Sequence, residues 1–213
     1  MQFLEKVSFN KVLLICGILY PLLYVGTDIL AGTLYPSYSF INQAISEESA
    51  IGAPTRSLVV PLLFIGTVIA LAFGWGVWRS AGRNRALRIT GGLLILIGLV
   101  GLAWTPFPMH LGEPMSSFAN TIHSIFASVQ VILVLLTIGF GATAYRNWFR
   151  YYSIVTILAL FAAGLVSFWL AASGNNPFAP PWFGLIERIN VYGYLLWIAV
   201  LAIILLRADI AVS

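Results

Sequence analysis

Asp28, His110, His123, Glu187 and Arg188 are the residues of this chain whose types could do chemistry together. Imidazole is the usual general base and a common metal ligand near neutral pH. Two carboxylates and a guanidinium beside it would suffice for a hydrolytic site, a divalent-metal site or an anion pocket. None of the five stands at close ligand spacing. There is no His-Glu-x-x-His and no Gly-x-Ser-x-Gly elbow, so no serine is marked as a nucleophile. Any site must be assembled from distant segments.

The elements that would position them are membrane helices. Apolar residues make up 60% of the 213 and charged residues 8%, with a mean hydropathy of +0.95. A soluble domain carries about 25% charged residues, so this composition could not cover a globular surface in water. A spanning helix needs about 20 mostly apolar residues. Six such runs are present: Val12–Leu34, Leu58–Trp78, Ile89–Pro106, Asn120–Ala144, Tyr152–Ala172 and Leu185–Leu206. The expectation is an all-α, six-transmembrane-helix bundle forming one integral membrane domain over residues 1–213. The single cysteine, Cys16, leaves no disulfide framework. Gly91, Gly92, Gly98 and Gly101 in the third run, and Ala159, Ala163, Ser167 and Ala171 in the fifth, suit close helix packing.

Charge sets the expected orientation. Lys6, Lys11, Arg79, Arg83, Arg85, Arg88, Arg146, Arg150 and Arg207 fall on one side of the six spans, and only Arg56 and Arg188 on the other. Basic residues near span ends favour the cytoplasm. Both termini are therefore expected there, in a multi-pass protein of the cell membrane. Because the basic residues sit at membrane ends, their expected partners are lipid headgroups and not nucleic acid. Both histidines and five of the seven acids (Asp28, Glu47, Glu48, Glu113, Glu187) collect on the outer side.

The first outer loop, Tyr35–Ser57, is the longest non-spanning segment. Phe40, Ile41, Ala44 and Ile45 recur on one helical face, with Asn42, Gln43, Ser46 and Glu47 turned mostly away. Ser39 as N-cap and Gly52-Ala53-Pro54 as terminator predict a short amphipathic helix lying on the interface or over the bundle. Asp28 lies in a span, where a carboxylate costs about 2.5–3.5 kcal/mol on insertion scales and normally has a partner. It is either a functional group or one half of a pair with Arg56, Arg188 or His123. Arg188 is unfavourably placed near a helix N-terminus, which predicts a specific acceptor such as Asp28, the acidic loop or a lipid phosphate.

Several strings together resemble a known family: Tyr24-Val25-Gly26-Thr27-Asp28, Tyr35-Pro36-x-Tyr38-Ser39, Gln43-Ala44-Ile45-Ser46-Glu47, Gly52-Ala53-Pro54, Phe107-Pro108-Met109-His110 and Leu185-Ile186-Glu187-Arg188. Over nearly its whole length the chain resembles the bacterial and archaeal membrane family catalogued as domain of unknown function 998. The resemblance implies a six-span bundle and brings no established reaction. It marks Asp28, Tyr38, Ser39, Ser46, Glu47, Pro54, His110, His123, Glu187 and Arg188. Glu48 departs from it, at a position where an apolar residue is expected. A more distant likeness is to the ceramidase and progestin-receptor-like membrane hydrolases, which hold zinc with three histidines in a seven-span core. With two histidines and six spans, this chain excludes a copy of that site.

Three readings follow. The first is a multi-pass protein with a polar outward-facing pocket that binds a lipid or small amphiphile. The second is an outer-leaflet, lipid-active hydrolase or transferase with His123, Asp28 and Glu187 as its catalytic groups. In either, Arg188, Tyr38, Ser39, Glu47, His110 and Tyr192 form the ligand-binding wall. A divalent metal such as zinc would be held by His110, His123 and Asp28. The third is a membrane scaffold in which the polar groups only tie helices together.

Overall fold

The computed structural model describes residues 2–146, 148–173 and 181–212. Its helices are α1 (Gln2–Leu34), α2 (Arg56–Ser80), α3 (Arg85–Trp104), α4 (Phe118–Ala144), α5 (Trp148–Ser173) and α6 (Phe183–Val212), with one 3-10 helix, Ile45–Ser49, between α1 and α2. All six α-helices contain a segment long and apolar enough to cross a membrane, and each expected span falls on one of them. Residues 174–180, most of the expected third outer loop, and Asn147 in the second basic connection lie outside the described residues.

Local chemistry sets several boundaries. Asn84 caps α3, its Oδ1 accepting from the Leu87 amide at 3.1 Å, while its Nδ2 donates to the Ala144 carbonyl at 2.9 Å. Ser117 caps α4 through the Asn120 amide at 3.3 Å. Each α-helix packs on its chain neighbours, and α6 returns to pack on α1, so the six close into a ring. The glycines of α3 face α2: a Cβ on Gly91 would stand 2.5 Å from the Trp78 amide nitrogen, and one on Gly98 2.5 Å from Leu71 Cδ2. In α5, Ala163 is buried but Ala159 faces outward, so that line of small residues packs only in part.

Only 22% to 39% of each span's apolar window is buried. Most of the helix surface is thus apolar and outward-facing, as a lipid solvent requires. The half of the ring away from Asp28 is filled by Leu14, Phe73, Val77, Ile138, Trp197, Ile198 and Leu201, all essentially inaccessible. Trp197 satisfies its indole N–H on Ser153 Oγ at 2.9 Å. Its ring lies where a Cβ on Gly141 would come within 2.5 Å.

The loop after α1 differs from expectation. No amphipathic helix lies along the interface. Phe40, Ile41 and Asn42 form a turn begun by Ser39, whose Oγ accepts from the Asn42 amide at 3.3 Å. The helical residues come later, at Ile45–Ser49. The expected faces hold only in part: Ala44 and Ile45 are buried and Asn42 is exposed, but Ile41 is exposed and Glu47 is buried, together with Glu48. The physical reason is that the loop's carbonyls have partners underneath it on α6, where Phe40 and Gln43 accept from Arg188 and Ile41 from the Leu185 amide, while Glu47 is capped within the loop. The α3–α4 connection clamps the loop from the side. The Ile51 amide donates to the Met109 carbonyl at 2.8 Å, and the Leu111 amide to the Ile51 carbonyl at 3.0 Å.

Candidate functional site

Arg188 sits on the second turn of α6 and is buried, although it is the longest cation in the region. Its guanidinium is satisfied entirely by protein. Nε donates to Asp28 Oδ2 at 3.0 Å and Nη2 to Asp28 Oδ1 at 2.7 Å, a two-pronged pairing that matches the planar fork to the carboxylate. Nη2 also donates to the Tyr38 hydroxyl at 2.8 Å. Nη1 spreads over three main-chain carbonyls, Phe40 at 2.8 Å, Gln43 at 3.0 Å and Gly184 at 3.2 Å. The Phe40 ring lies 4.9 Å from the guanidinium carbon and the Tyr38 ring 5.5 Å, distances at which aromatic faces attract a cation.

Asp28 on α1 is therefore the partner of Arg188, not of Arg56 or His123. Arg56 turns instead to the Ser49 carbonyl. Tyr192, one turn beyond Arg188, donates its hydroxyl to Asp28 Oδ2. Tyr38 donates to the Ala44 carbonyl at 2.8 Å; burial holds its phenol well above the ordinary value, so it remains a donor. Glu187 accepts from the Ile45 amide at 2.7 Å. Glu47 accepts from the Ala44 amide and from Gln43 Nε2, both at 2.9 Å, capping the 3-10 helix. Of the expected ligand-binding wall, Arg188, Tyr38, Ser39, Glu47 and Tyr192 thus belong to one cluster with Asp28 and Glu187.

Glu48 completes it. Its side chain is fully buried, Oε1 lies 3.7 Å from Arg188 Nη2, and neither carboxyl oxygen has a hydrogen-bond partner within bonding geometry. Burial first, and then the neighbouring Asp28 carboxylate, push its pKa up to about 9 against the lowering pull of Arg188. The direction of that shift favours the neutral acid over the carboxylate at Glu48. The helical pattern of the loop assigned it no partner. The usable signal was composition: two adjacent acids in a chain with only seven, on the side that carries Arg188.

The histidines are elsewhere. His123 Nδ1 accepts from the Trp104 indole N–H at 3.0 Å, which places its proton on Nε2. Phe107 and Phe126 stack beside that pair. His110 Nδ1 lies 2.9 Å from Glu113 Oε1. His110 first, and then Ser117, hold the Glu113 carboxyl below its ordinary pKa. This places the carboxylate between serine and imidazole, whereas an activated nucleophile needs the imidazole in the middle. Asn120, absent from the expected set, fixes this loop by accepting from the His110 amide at 2.8 Å and donating to the His110, Glu113 and Pro114 carbonyls, each at 3.2 Å. The structure does not bring His123 together with Asp28 and Glu187. It does not converge His110, His123 and Asp28 either: among the described residues no three His, Cys, Asp or Glu side chains are placed to hold a metal ion. The residues expected to act together thus lie in separate groups: Arg188 occupies the Asp28 carboxylate, and the Trp104 indole occupies one nitrogen of His123.

No curated protein and no solved structure matches the chain. The model of one family, described as a protein of unknown function (DUF998), matches residues 18–204, which spans α1 from its middle to the last turns of α6 and contains every residue of the cluster. The chain belongs to the DUF998 family.

Proposed function

We propose that this multi-pass membrane protein is a non-enzymatic binding protein of the extracytoplasmic face. Its ligand is an amphiphile with an anionic headgroup, received at Arg188 and Glu48 beneath the loop 35–55. The observation that carries the reading is the surplus polar capacity of Glu48. A buried carboxyl with no bonding partner calls for an explanation, and a purely structural tie has no use for one. Arg188 adds exchangeable donors. Two of the three carbonyls on Nη1 come from the loop, and an anionic oxygen makes a stronger, charge-assisted bond than a carbonyl.

The surroundings favour an amphiphile. The site lies at the ends of α1 and α6. A shallow surface groove borders the end of the loop, lined by Ala53, Pro54, Arg56, Ser57, Val60 and Pro61 and by no residue of the cluster itself. Orientation rests on charge: nine of the eleven basic residues lie at the opposite end of the spans. The lipid hydrolase is weaker, since His123 is bonded to an indole and lies apart from the carboxylates. Passage through the ring is disfavoured by the apolar packing around Trp197. The structural tie is the second reading, favoured by the full satisfaction of the guanidinium.

The test is thermal unfolding in a neutral detergent with added dodecyl phosphate, against a zwitterionic alkyl phosphocholine of the same chain length. A ligand at one hundred times its Kd adds about 2.7 kcal/mol, so a saturable rise in Tm is expected with the phosphate and not with the zwitterion. Native mass spectrometry should show a single bound phosphate amphiphile. Equal responses to both amphiphiles, or none, would leave the structural tie.

A further inference from the structure

The cluster holds more acid than its one cation can neutralise. Asp28 and Glu48 both reach the same nitrogen of Arg188, at 2.7 Å and 3.7 Å. Asp28 takes both prongs of the guanidinium and the Tyr192 hydroxyl as well. Glu48 receives no bond from the cation, and it is sealed from water by the loop that carries it. Two carboxylates this near one another cannot both ionise cheaply in a site closed to water.

We propose that Glu48 is a proton-binding site that governs closure of the loop 35–55. With its proton, Glu48 is neutral beside the Asp28–Arg188 pair and the loop stays down. When it is deprotonated, the O–H bond breaks, the electron pair stays on the carboxylate and the proton passes to water. A second anion then faces Asp28, and the loop lifts from α1 and α6 to hydrate it.

Every neighbouring charge is consistent with this assignment. From α1, Asp28 faces Glu48 and Tyr24 stands within electrostatic reach. From α6 come Arg188, whose charge is already matched by Asp28, together with Glu187 and Tyr192. Within the loop, Tyr38 donates to the Ala44 carbonyl, and Glu47 is committed to the Ala44 amide and Gln43. At the end of the loop Thr55 Oγ1 donates to the Glu48 carbonyl at 2.8 Å, and from α2 Arg56 turns to the Ser49 carbonyl. From the α3–α4 connection, His110 pairs with Glu113. Among the described residues no second cation is therefore placed to neutralise Glu48, and the upward shift of its pKa agrees. The contacts that must open with the loop are those of Tyr38, Phe40 and Gln43 with Arg188, the Ile45 amide on Glu187 at 2.7 Å, the Leu185 amide on the Ile41 carbonyl at 2.9 Å, the Trp182 amide on Asn42 Oδ1 at 3.2 Å, and the Ile51 clamp.

This proton site uses the same cluster as the proposed binding function but needs no ligand, so the two stand or fall separately. The experiment uses the full chain in lipid nanodiscs, ligand-free, with Cys16→Ser and a spin label on Ile41→Cys, an exposed position of the loop. As pH rises toward the range where Glu48 ionises, the ratio of mobile to immobile label should grow by up to about tenfold per pH unit, the slope of one proton. Glu48→Gln should hold the label immobile throughout. Infrared titration with isotope-labelled glutamate should show a protonated carboxyl band that disappears over the same range and is missing from Glu48→Gln. A label whose mobility ignores pH, or a Glu48→Gln protein that follows the wild type, overturns the proposal. Should that variant fail to fold, the wild-type infrared titration decides alone, and absence of the band at neutral pH overturns the proposal.

Discussion

At the scale of single residues, the cluster separates groups that are tied from one that is not. Arg188 is tied by every N–H it has. Removing one partner of a buried ion pair costs about 3–5 kcal/mol, because the other charge is stranded. Arg188→Leu should therefore lower stability by about that amount, read as Tm in detergent. Arg188→Lys should recover little of it, since an ammonium cannot reproduce the two-pronged contact with Asp28 while also reaching the Phe40 and Gln43 carbonyls. Glu48 is the untied group, and its sign is the opposite of an ordinary paired carboxylate. The folded protein keeps its proton up to about 9, whereas the unfolded chain releases it near the ordinary 4.5. Between those values the folded state holds more protons, so stability falls as pH rises. Its contribution is complete below the unfolded value and is lost as pH climbs through the folded one. Glu48→Gln, which stays neutral, should unfold at a higher temperature than wild type at neutral pH, by a margin that widens toward alkaline pH. An unchanged or narrowing gap in a pH series of melting curves would contradict this.

At the scale of elements, the loop and the N-terminus of α6 form one unit. Leu185 donates to the Ile41 carbonyl, Trp182 donates its amide to Asn42 Oδ1 at 3.2 Å, and Ile45 donates to Glu187. Gly184 makes the approach possible. A Cβ there would lie 2.1 Å from the Gln43 carbonyl oxygen and 2.9 Å from that of Phe40. These are backbone atoms, and they are the two loop carbonyls that Arg188 uses. Gly184→Ala should displace the loop and cost about 1–3 kcal/mol, the usual scale of overpacking. Limited proteolysis within residues 35–55 should become faster, while cleavage in the basic connections stays unchanged. The same element shows where reading the sequence met its limit. Ser39 does begin a turn, but the apolar periodicity of Phe40, Ile41, Ala44 and Ile45 predicts a helix with its acids facing water. Periodicity assumes that water is the polar partner. Here the polar partner of the loop is Arg188, which takes the Tyr38 hydroxyl and the Phe40 and Gln43 carbonyls from 145 to 150 positions away, and the loop that it draws down carries Glu47 and Glu48 inward.

At the scale of the whole molecule, the ring of six helices carries most of its acids and both histidines at one end, most of its basic residues at the other, and an apolar core in the half away from Asp28. Charge bias predicts that the polar end faces outward. An impermeant thiol reagent applied to intact cells should label Ser116→Cys and spare Asn84→Cys; the reverse pattern would turn the site toward the cytoplasm. The sequence alone determined the number of helices, their approximate limits, the common end of the bundle at which both histidines and most of the acids collect, and the family. Composition and run length decide those, because a bilayer accepts only long apolar helices whose backbone bonds are internal. It also narrowed the partner of Asp28 to three residues, of which Arg188 is the one observed. The tertiary structure alone decided that His123 rests on Trp104, that His110 pairs with Glu113, and that Glu48 lies 3.7 Å from Arg188 without a hydrogen bond. Each of those depends on which distant helix ends meet, and that is fixed by packing around the ring rather than by spacing along the chain.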